Sequence, residues 1–207
     1  MILKENNMIE IKQEFKDLIP PLTKEEFKQL ENNCMAEGIR EKILTWNGFI
    51  IDGHNRYEIA TRWDLDFETE NKHFDNEEAV KEWMILNQFG RRNLSNYQRS
   101  VLALELEEVF SKKAKEKQIE GGKNKVVQIS EQAPMERKAI TQISKVASVS
   151  HDTIAKVKKI QEKAPEEVKA KLRTGEVSIN AAYKEIKKEE NKEKLKEKKR
   201  EYNIRVE

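Results

Sequence analysis

Residues 43–63 read ILTWNGFIIDGHNRYEIATRW, and this stretch decides the fold of the first half of the chain. Two apolar runs rich in Ile, Phe and Trp flank Asn47-Gly48, a dipeptide that suits the type I′ turn of a β-hairpin. Gly53 follows the second run directly, and the residues after it have the apolar spacing of an α-helix. The stretch therefore predicts two antiparallel strands, a tight corner at Gly53 and a helix.

The corner after the second strand carries residue types that bind phosphate. Its residues are Gly53, His54, Asn55 and Arg56. Backbone N–H groups at the start of a helix, together with an arginine in its first turn, can hold a phosphate group. Arg91 and Arg92 would support such a site if the fold brings them near, because paired guanidinium groups suit a polyphosphate. The alternative is that the corner is only a turn.

The segments on either side of this stretch predict further helices. Thr23 and Glu26 form a capping box, which indicates the start of a helix. Residues 75–78 read DNEE and form a second capping box before another helix. Ser95 is placed to cap a third helix, and residues 66–74 have the composition of a strand.

Charge is divided unevenly along the 207 residues, although the net charge is only +2. Residues 1–110 contain 14 basic and 22 acidic residues, a formal charge of −8, and residues 111–207 contain 26 and 16, a formal charge of +10. All three Trp and all seven Phe lie at or before Phe110. The predicted fold class is α+β and helix-rich. Its predicted regions are an α/β domain (1–110), a helix end and flexible linker (111–136), an all-α domain (137–187) and a charged tail (188–207).

The composition excludes several classes of protein. One Cys rules out a disulfide framework and a multi-Cys metal site, and the three His have no metal-ligand spacing. No apolar run approaches the roughly 18 residues of a membrane span, and the N-terminus lacks the apolar core of a signal peptide. We therefore expect a cytoplasmic protein with no membrane partner, no metal site of its own and no recognisable set of catalytic side chains.

Residues 140–157 in the basic half have the pattern of a helix-turn-helix. Apolar residues recur where two crossed helices bury their contacts. The sequence Ser148-Val149-Ser150 would form the tight turn, with Ser150 as N-cap of the second helix. Ser144 and Ser148 stand where this motif usually has Ala and Gly. The alternative is a helical hairpin that touches no DNA.

A recognition helix starting after Ser150 would present a polar face to double-stranded DNA. The residues expected to meet base edges and phosphates there are Ser150, His151, Asp152, Thr153 and Lys156. Lysine contacts to phosphate would give an affinity that falls with salt. The lysines expected to make them are Lys138, Lys145, Lys156, Lys158 and Lys159. The +10 charge of this half favours the same partner.

Taken together, these segments resemble those of ParB-type partition proteins, within the wider ParB/sulfiredoxin-like superfamily. The resemblance covers roughly residues 8–187, and the order and spacing of the segments are more specific than any one of them. The segments are residues 38–44 (GIREKIL), 53–60 (GHNRYEIA), 87–95 (NQFGRRNLS), the helix-turn-helix pattern and residues 164–178.

This resemblance implies a nucleotide-binding α/β domain coupled to DNA reading by the helix-turn-helix domain. The implied ligand is a nucleoside triphosphate, CTP in the best-known members, with Mg²⁺. Gly53, Arg56 and Arg91 keep the family's residue at their positions. Asn87 and Gln88 complete the candidate nucleotide site, where hydrolysing members have a Glu and a magnesium-binding Asn. His54 replaces a Glu of the family.

The implied function is that of a DNA-binding protein of plasmid or phage type, acting in partition, replication or transcription control. Such a protein would be found at the nucleoid or on a plasmid, and self-association as a dimer is expected. The alternative is a nucleotide hydrolase (CTPase or ATPase) or a nuclease-like enzyme that uses the corner at residues 53–56. The amides of Asn87 and Gln88 favour binding over hydrolysis, because a neutral amide cannot act as a general base.

Overall fold

The computed structural model describes residues 9–90, 94–120, 141 and 143–206, and it is helix-rich with one small sheet. The strands are β1 (Ile43–Trp46), β2 (Phe49–Asp52) and β3 (Thr69–Asn71). The first five helices are α1 (Gln13–Asp17), α2 (Lys24–Glu37), α3 (His54–Trp63), α4 (Glu77–Phe89) and α5 (Asn96–Glu120). A short helix, α6, occupies residues 143–147 and is followed by α7 (His151–Lys163), α8 (Glu166–Thr174) and α9 (Ile179–Val206). The predicted helix-rich α+β class is confirmed.

The chain forms two compact units, and the division between them falls inside α5. The first unit contains the described residues up to Gly90 together with α5 from Glu108 onwards. The second unit contains the beginning of α5 as far as Glu107 together with the described residues from Thr141 onwards. The predicted domain bounds therefore stay predictions, and the structure adds that one helix contributes to both units.

The sheet of the first unit is built on the predicted hairpin. Asn47 and Gly48 have φ values of 49° and 83°, and a type I′ turn requires positive φ at both positions. β1 pairs antiparallel with β2 and parallel with β3, giving the strand order β2-β1-β3. The strand predicted over 66–74 is reduced to Thr69–Asn71, whose three polar side chains are all exposed at the edge of the sheet.

α2 and α5 both begin at a side-chain cap that the sequence predicts. Thr23 Oγ1 accepts a hydrogen bond from the Glu26 N–H at 3.2 Å, and Glu26 Oε2 accepts one from the Thr23 N–H at 2.9 Å. Ser95 and Gln98 make the same reciprocal pair at the start of α5, at 3.2 and 2.9 Å. Each box satisfies N–H groups that the first helical turn leaves without a partner.

The start of α4 differs from the prediction. Asn76 is the N-cap, and its Oδ1 accepts a hydrogen bond from the Ala79 N–H at 2.9 Å. The capping box predicted over 75–78 is therefore wrong. With the cap at Asn76, the third helical residue is an alanine, which has no side chain to bond back to the cap.

The second unit is held by an apolar core shared by α5, α7, α8 and α9. Its largest buried side chains are Tyr97, Val157, Ile160, Leu172 and Ile186. Burying aliphatic side chains of this size contributes about 1.5–3 kcal/mol each relative to exposure. The Tyr97 hydroxyl accepts a hydrogen bond from Gln161 Nε2 at 3.0 Å, so the polar end of this ring is also satisfied. This core fixes one side of α7 and leaves its first turn at the surface.

The predicted charged tail is a continuation of α9. The helix extends to Val206, and Leu195 in its second half is 59% exposed. Of the helices in the described ranges, none combines the length and the apolar character needed to cross a membrane.

Candidate functional site

Gly53 forms the predicted corner between β2 and α3. It has φ 93° and ψ 17°, in the left-handed region that favours glycine. A Cβ at this position would lie 3.1 Å from Nη2 of Arg56, so glycine also leaves room for the guanidinium. Gly53 is the N-cap residue of α3, and it makes no side-chain cap hydrogen bond. A glycine at the N-cap has no side chain that could bond the first-turn N–H groups of α3, and the positive end of the helix favours a negatively charged group there.

Arg56 lies between two carboxylates. Its Nη2 donates hydrogen bonds to Asp52 Oδ2 at 3.1 Å and to the Lys42 carbonyl oxygen at 3.4 Å, and its Nη1 donates to Glu41. The Asp52 side chain is 14% exposed, whereas that of Glu41 is 77% exposed. Exposed ion pairs contribute little stability. An incoming phosphate can therefore displace Glu41 from Arg56 more easily than Asp52.

His54 is buried beside the same corner. The residue is 5% exposed, and neither ring nitrogen has a hydrogen-bond partner among the described residues. Burial lowers the pKa of the imidazole to about 4; the charge of Asp52 opposes this shift, and that of Lys16 adds to it. The ring is therefore neutral near pH 7. It can donate one hydrogen bond and accept another, but it cannot supply a positive charge to a phosphate.

Asn87 and Gln88 lie in the last turn of α4, which packs on β2. Asn87 is exposed, whereas Gln88 is 1% exposed and its Oε1 has no partner within the described part of the chain. A buried polar group left without a hydrogen bond costs about 1–3 kcal/mol. His54, Gln88 and, through its Nε, Arg56 are therefore predicted site residues whose buried polar atoms a ligand could satisfy. Arg91 and Arg92 lie outside the described residues.

The corner suits a phosphate group better than a bare metal ion. An anion requires hydrogen-bond donors and positive charge. The first turn of α3 and Arg56 supply N–H donors, and the positive end of the α3 dipole also favours an anion. Across the ranges that the structure describes, no group of three or more His, Cys, Asp or Glu side chains could hold a metal ion.

In the second unit, a tight turn at residues 148–150 joins α6 to α7. Ser148 has φ 55°, a left-handed conformation that costs a non-glycine residue about 1–2 kcal/mol. Ser150 Oγ accepts a hydrogen bond from the Thr153 N–H at 3.2 Å and caps α7 as predicted. The Ser144 Oγ is buried and has no partner among the described residues. Glycine at 148 and alanine at 144 would thus suit this backbone better.

The first turns of α7 place several predicted residues on one surface. His151 and Asp152 are exposed, whereas Ile154 and Val157 are buried on the opposite side. Lys156 Nζ lies 2.7 Å from Asp152 Oδ2.

A residue that the sequence did not single out joins this surface. Asn180, at the beginning of α9, accepts a hydrogen bond through its Oδ1 from Lys156 Nζ at 3.1 Å. The two residues are 24 positions apart, and no local motif marks Asn180, so only the packing of α7 against α9 shows that they meet.

The other lysines predicted to contact phosphate have different surroundings. Lys145 is exposed on α6, and Lys158 is exposed with its Nζ 3.7 Å from Glu107 Oε1. Lys138 lies outside the described residues. Lys145 and Lys158 therefore keep the accessibility that a DNA contact needs.

Lys159 is directed towards α9 instead. Its Nζ donates a hydrogen bond to Glu190 at 2.6 Å, and Lys163 donates another to the same carboxylate at 2.6 Å. These hydrogen bonds lower the pKa of Glu190 to about 2. Lys159 therefore links α7 to α9, and it is less available to DNA than Lys145 or Lys156.

Comparison with known proteins supports the fold. No protein-family model matches the chain, and no curated protein matches it. The C2221 form of a pNOB8-like ParB N-domain is 16% identical, with a TM-score of 0.61, and the match covers 91% of this chain and 80% of that one. A second structure of the pNOB8-like ParB N-domain is 18% identical, with a TM-score of 0.53, and covers 85% and 70%. The chain therefore has the fold seen in ParB N-domains, which confirms the predicted resemblance at the level of fold.

Proposed function

We propose that the protein binds double-stranded DNA and reads a site with a helix-turn-helix formed by α6 and α7. The observation that carries this proposal is the exposed first turn of α7. It is capped by Ser150, it presents His151 and Asp152, and it places Lys156 beside Asn180. The ParB-like fold and the +10 charge of residues 111–207 support the same function.

The biological role proposed is partition, replication or transcription control of a plasmid or phage, in the cytoplasm at the nucleoid or a plasmid. The dimer expected from the sequence stays a prediction.

Lys156 can exchange its current ion pair for a DNA phosphate, because the Asp152 side chain is 75% exposed and exposed pairs are weak. Such exchange makes the affinity depend on salt.

Replacing both Thr153 and Lys156 by Ala should weaken specific DNA binding by at least about tenfold. The double variant removes two polar side chains from the reading surface, and each good base or phosphate contact is worth about 1–3 kcal/mol. A preferred site is first selected from a randomised duplex library with the wild-type protein. Fluorescence anisotropy with that duplex then compares the affinities.

The matched control is Lys171→Ala with Thr174→Ala, which removes the same residue types from α8 of the same unit. Both control residues are at the surface, where Lys171 pairs with Glu167 and Thr174 bonds to Glu176. We expect the control to keep wild-type affinity. Equal affinity of all three proteins would show that α7 is not the reading helix.

The first unit is proposed to bind a nucleoside triphosphate at the corner of residues 53–56. The positive N-terminal end of α3, the guanidinium of Arg56 and the buried polar atoms of His54 and Gln88 support this ligand. The triphosphate would meet the positive end of α3, and Arg56 would replace its contact with Glu41 by one with phosphate. CTP is preferred here only because of the resemblance to ParB-type proteins.

Isothermal titration with ATP, GTP, CTP and UTP, each with Mg²⁺, should give a binding heat for CTP. Arg56→Ala should abolish it, because the variant removes the cation at the corner. Arg62→Ala is the matched control, since Arg62 lies at the far end of α3 in pairs with Glu31 and Glu58. Absence of heat with all four nucleotides would refute the nucleotide site and leave the DNA proposal untouched.

The alternative enzyme function is tested on the same samples. A colorimetric assay for released phosphate, with and without DNA, distinguishes a nucleotide hydrolase from a protein that only binds. We expect no release. Among the predicted site residues of the third segment, both Asn87 and Gln88 are neutral amides, so neither can activate water as a general base.

A further inference from the structure

The charged side chains of α9 are sorted onto two faces. Successive residues of an α-helix are rotated by about 100°, and between residues 184 and 199 one face contains lysines and no carboxylate. This lysine face comprises Lys184, Lys187, Lys188, Asn191, Lys192, Lys194, Leu195, Lys198 and Lys199, all within about 80° of Lys184 and all exposed. The glutamates lie on the other side of the helix: Glu185, Glu189, Glu190, Glu193 and Glu197.

Part of the lysine face borders a shallow, open pocket on the surface of α9. The residues that line this pocket are Tyr183, Lys184, Lys187, Lys188, Asn191, Lys192 and Leu195. Lys188 lies 3.9 Å from Glu185, and both side chains are more than half exposed, so this pair holds the ammonium group only weakly. The face therefore offers positive charges to an external polyanion.

The same face begins beside the proposed reading helix. Asn180 lies on it one turn before Lys184, and Asn180 is the residue that bonds Lys156 of α7 at 3.1 Å. From Asn180 to Lys199 the helix rises by about 28 Å, which is roughly the length of eight base pairs. The reading surface and the lysine face are thus continuous within the second unit.

We propose that the lysine face of α9 binds the phosphate backbone of the DNA duplex that α7 reads. This inference rests on the proposed DNA binding and adds a second surface to it. The contacts of this surface with the phosphate backbone would not depend on the base sequence of the DNA. The charge complementarity is direct, because every charged side chain of the face is positive. A second copy related by two-fold symmetry would instead place lysines against lysines, which repel.

The test is the salt dependence of DNA affinity. The triple variant Lys184→Gln, Lys192→Gln and Lys198→Gln removes three positive charges from the lysine face. Because Gln and Lys have nearly the same helix propensity, the substitutions should leave the helix intact. Anisotropy titrations use a fluorescent duplex of about 30 base pairs at several salt concentrations. The slope of log affinity against log salt should fall by about 0.9 for each lost phosphate contact, up to about 2.7 for the triple variant.

The control variant Lys28→Gln, Lys171→Gln and Lys196→Gln removes the same charge from other surfaces, including the glutamate face of α9. We expect it to keep the wild-type slope. If the wild-type protein binds no duplex, the proposed function itself fails. If Thr153→Ala with Lys156→Ala weakens binding but the lysine-face variant keeps the wild-type slope, only this inference is overturned.

Two further results would also overturn the lysine-face inference. Equal changes of slope in both triple variants would mean that net charge alone matters. A changed sedimentation mass with an unchanged slope would assign the face to a second copy of the chain.

Discussion

Lowering the pH from 6.5 to 4.5 should destabilise the first unit by about 2 kcal/mol through His54 alone. Burial lowers the pKa of His54 to about 4, compared with its usual value of 6.5. The unfolded chain therefore binds more protons than the folded chain between these two pH values. Stability must then fall as the pH falls through this window, and the full contribution is present above pH 6.5.

Urea unfolding followed by tryptophan fluorescence measures this effect, because Trp46, Trp63 and Trp83 all lie in the first unit. Wild type is compared with His54→Gln and His54→Leu, neither of which titrates in this range. The Glu77 carboxyl, whose pKa is lowered to about 2 by Lys12 and Lys81, loses its stabilising effect as the pH falls from about 4.5 towards 2, and this loss is common to the wild type and both variants. Wild-type and variant stabilities that run parallel between pH 6.5 and 4.5 would refute the buried, neutral state of His54.

Most of the local structure could be predicted from sequence, because its causes are local. The turn at Asn47-Gly48 needs positive φ at two neighbouring residues, and this dipeptide supplies them. The Thr23 cap and the Ser150 cap likewise depend on residues three positions apart. The error at Asn76 is of the same scale, since the prediction displaced the cap by one residue.

Contacts between distant residues could not be predicted in this way. The link between Lys156 and Asn180, and the bond between Lys159 and Glu190, both depend on how α7 packs against α9. A single sequence shows the amphipathic stripe of each helix but not which charged groups end up opposite each other. The sequence predicts Lys159 as a DNA contact because it lies on the proposed reading helix. Its ammonium group is instead directed to α9.

The candidate nucleotide site combines a local feature that the sequence predicts with distant contacts that it does not. The position of the corner follows from an apolar strand, one glycine and a helical pattern, and the sequence places it correctly. The pairing of Arg56 with Glu41 and Asp52 and the burial of His54 depend on tertiary packing. A helix motif can thus indicate where donors lie, but the competing carboxylates become visible only in three dimensions.

Gly53→Val should destabilise the first unit by about 3 kcal/mol. Two causes add. A β-branched residue is strained at φ 93°, and its Cβ would lie 3.1 Å from Nη2 and 3.3 Å from Nε of Arg56. The guanidinium is at the far end of a flexible side chain, so it moves and gives up its bonds to Asp52 and Glu41. The variant should therefore also lose nucleotide binding in the titration that tests Arg56.

Gly175→Val separates the two causes. Gly175 has φ 81° and ψ 4°, close to the backbone of Gly53, but a Cβ there would have nothing within 4 Å. Hydrogen exchange measured peptide by peptide follows the stability of each unit separately. We expect Gly175→Val to lower the free energy of unfolding of the second unit by about 1–2 kcal/mol, from backbone strain alone. Equal losses at both positions would mean that glycine is needed at 53 only for its backbone, and that the approach of Arg56 contributes nothing to the choice of residue.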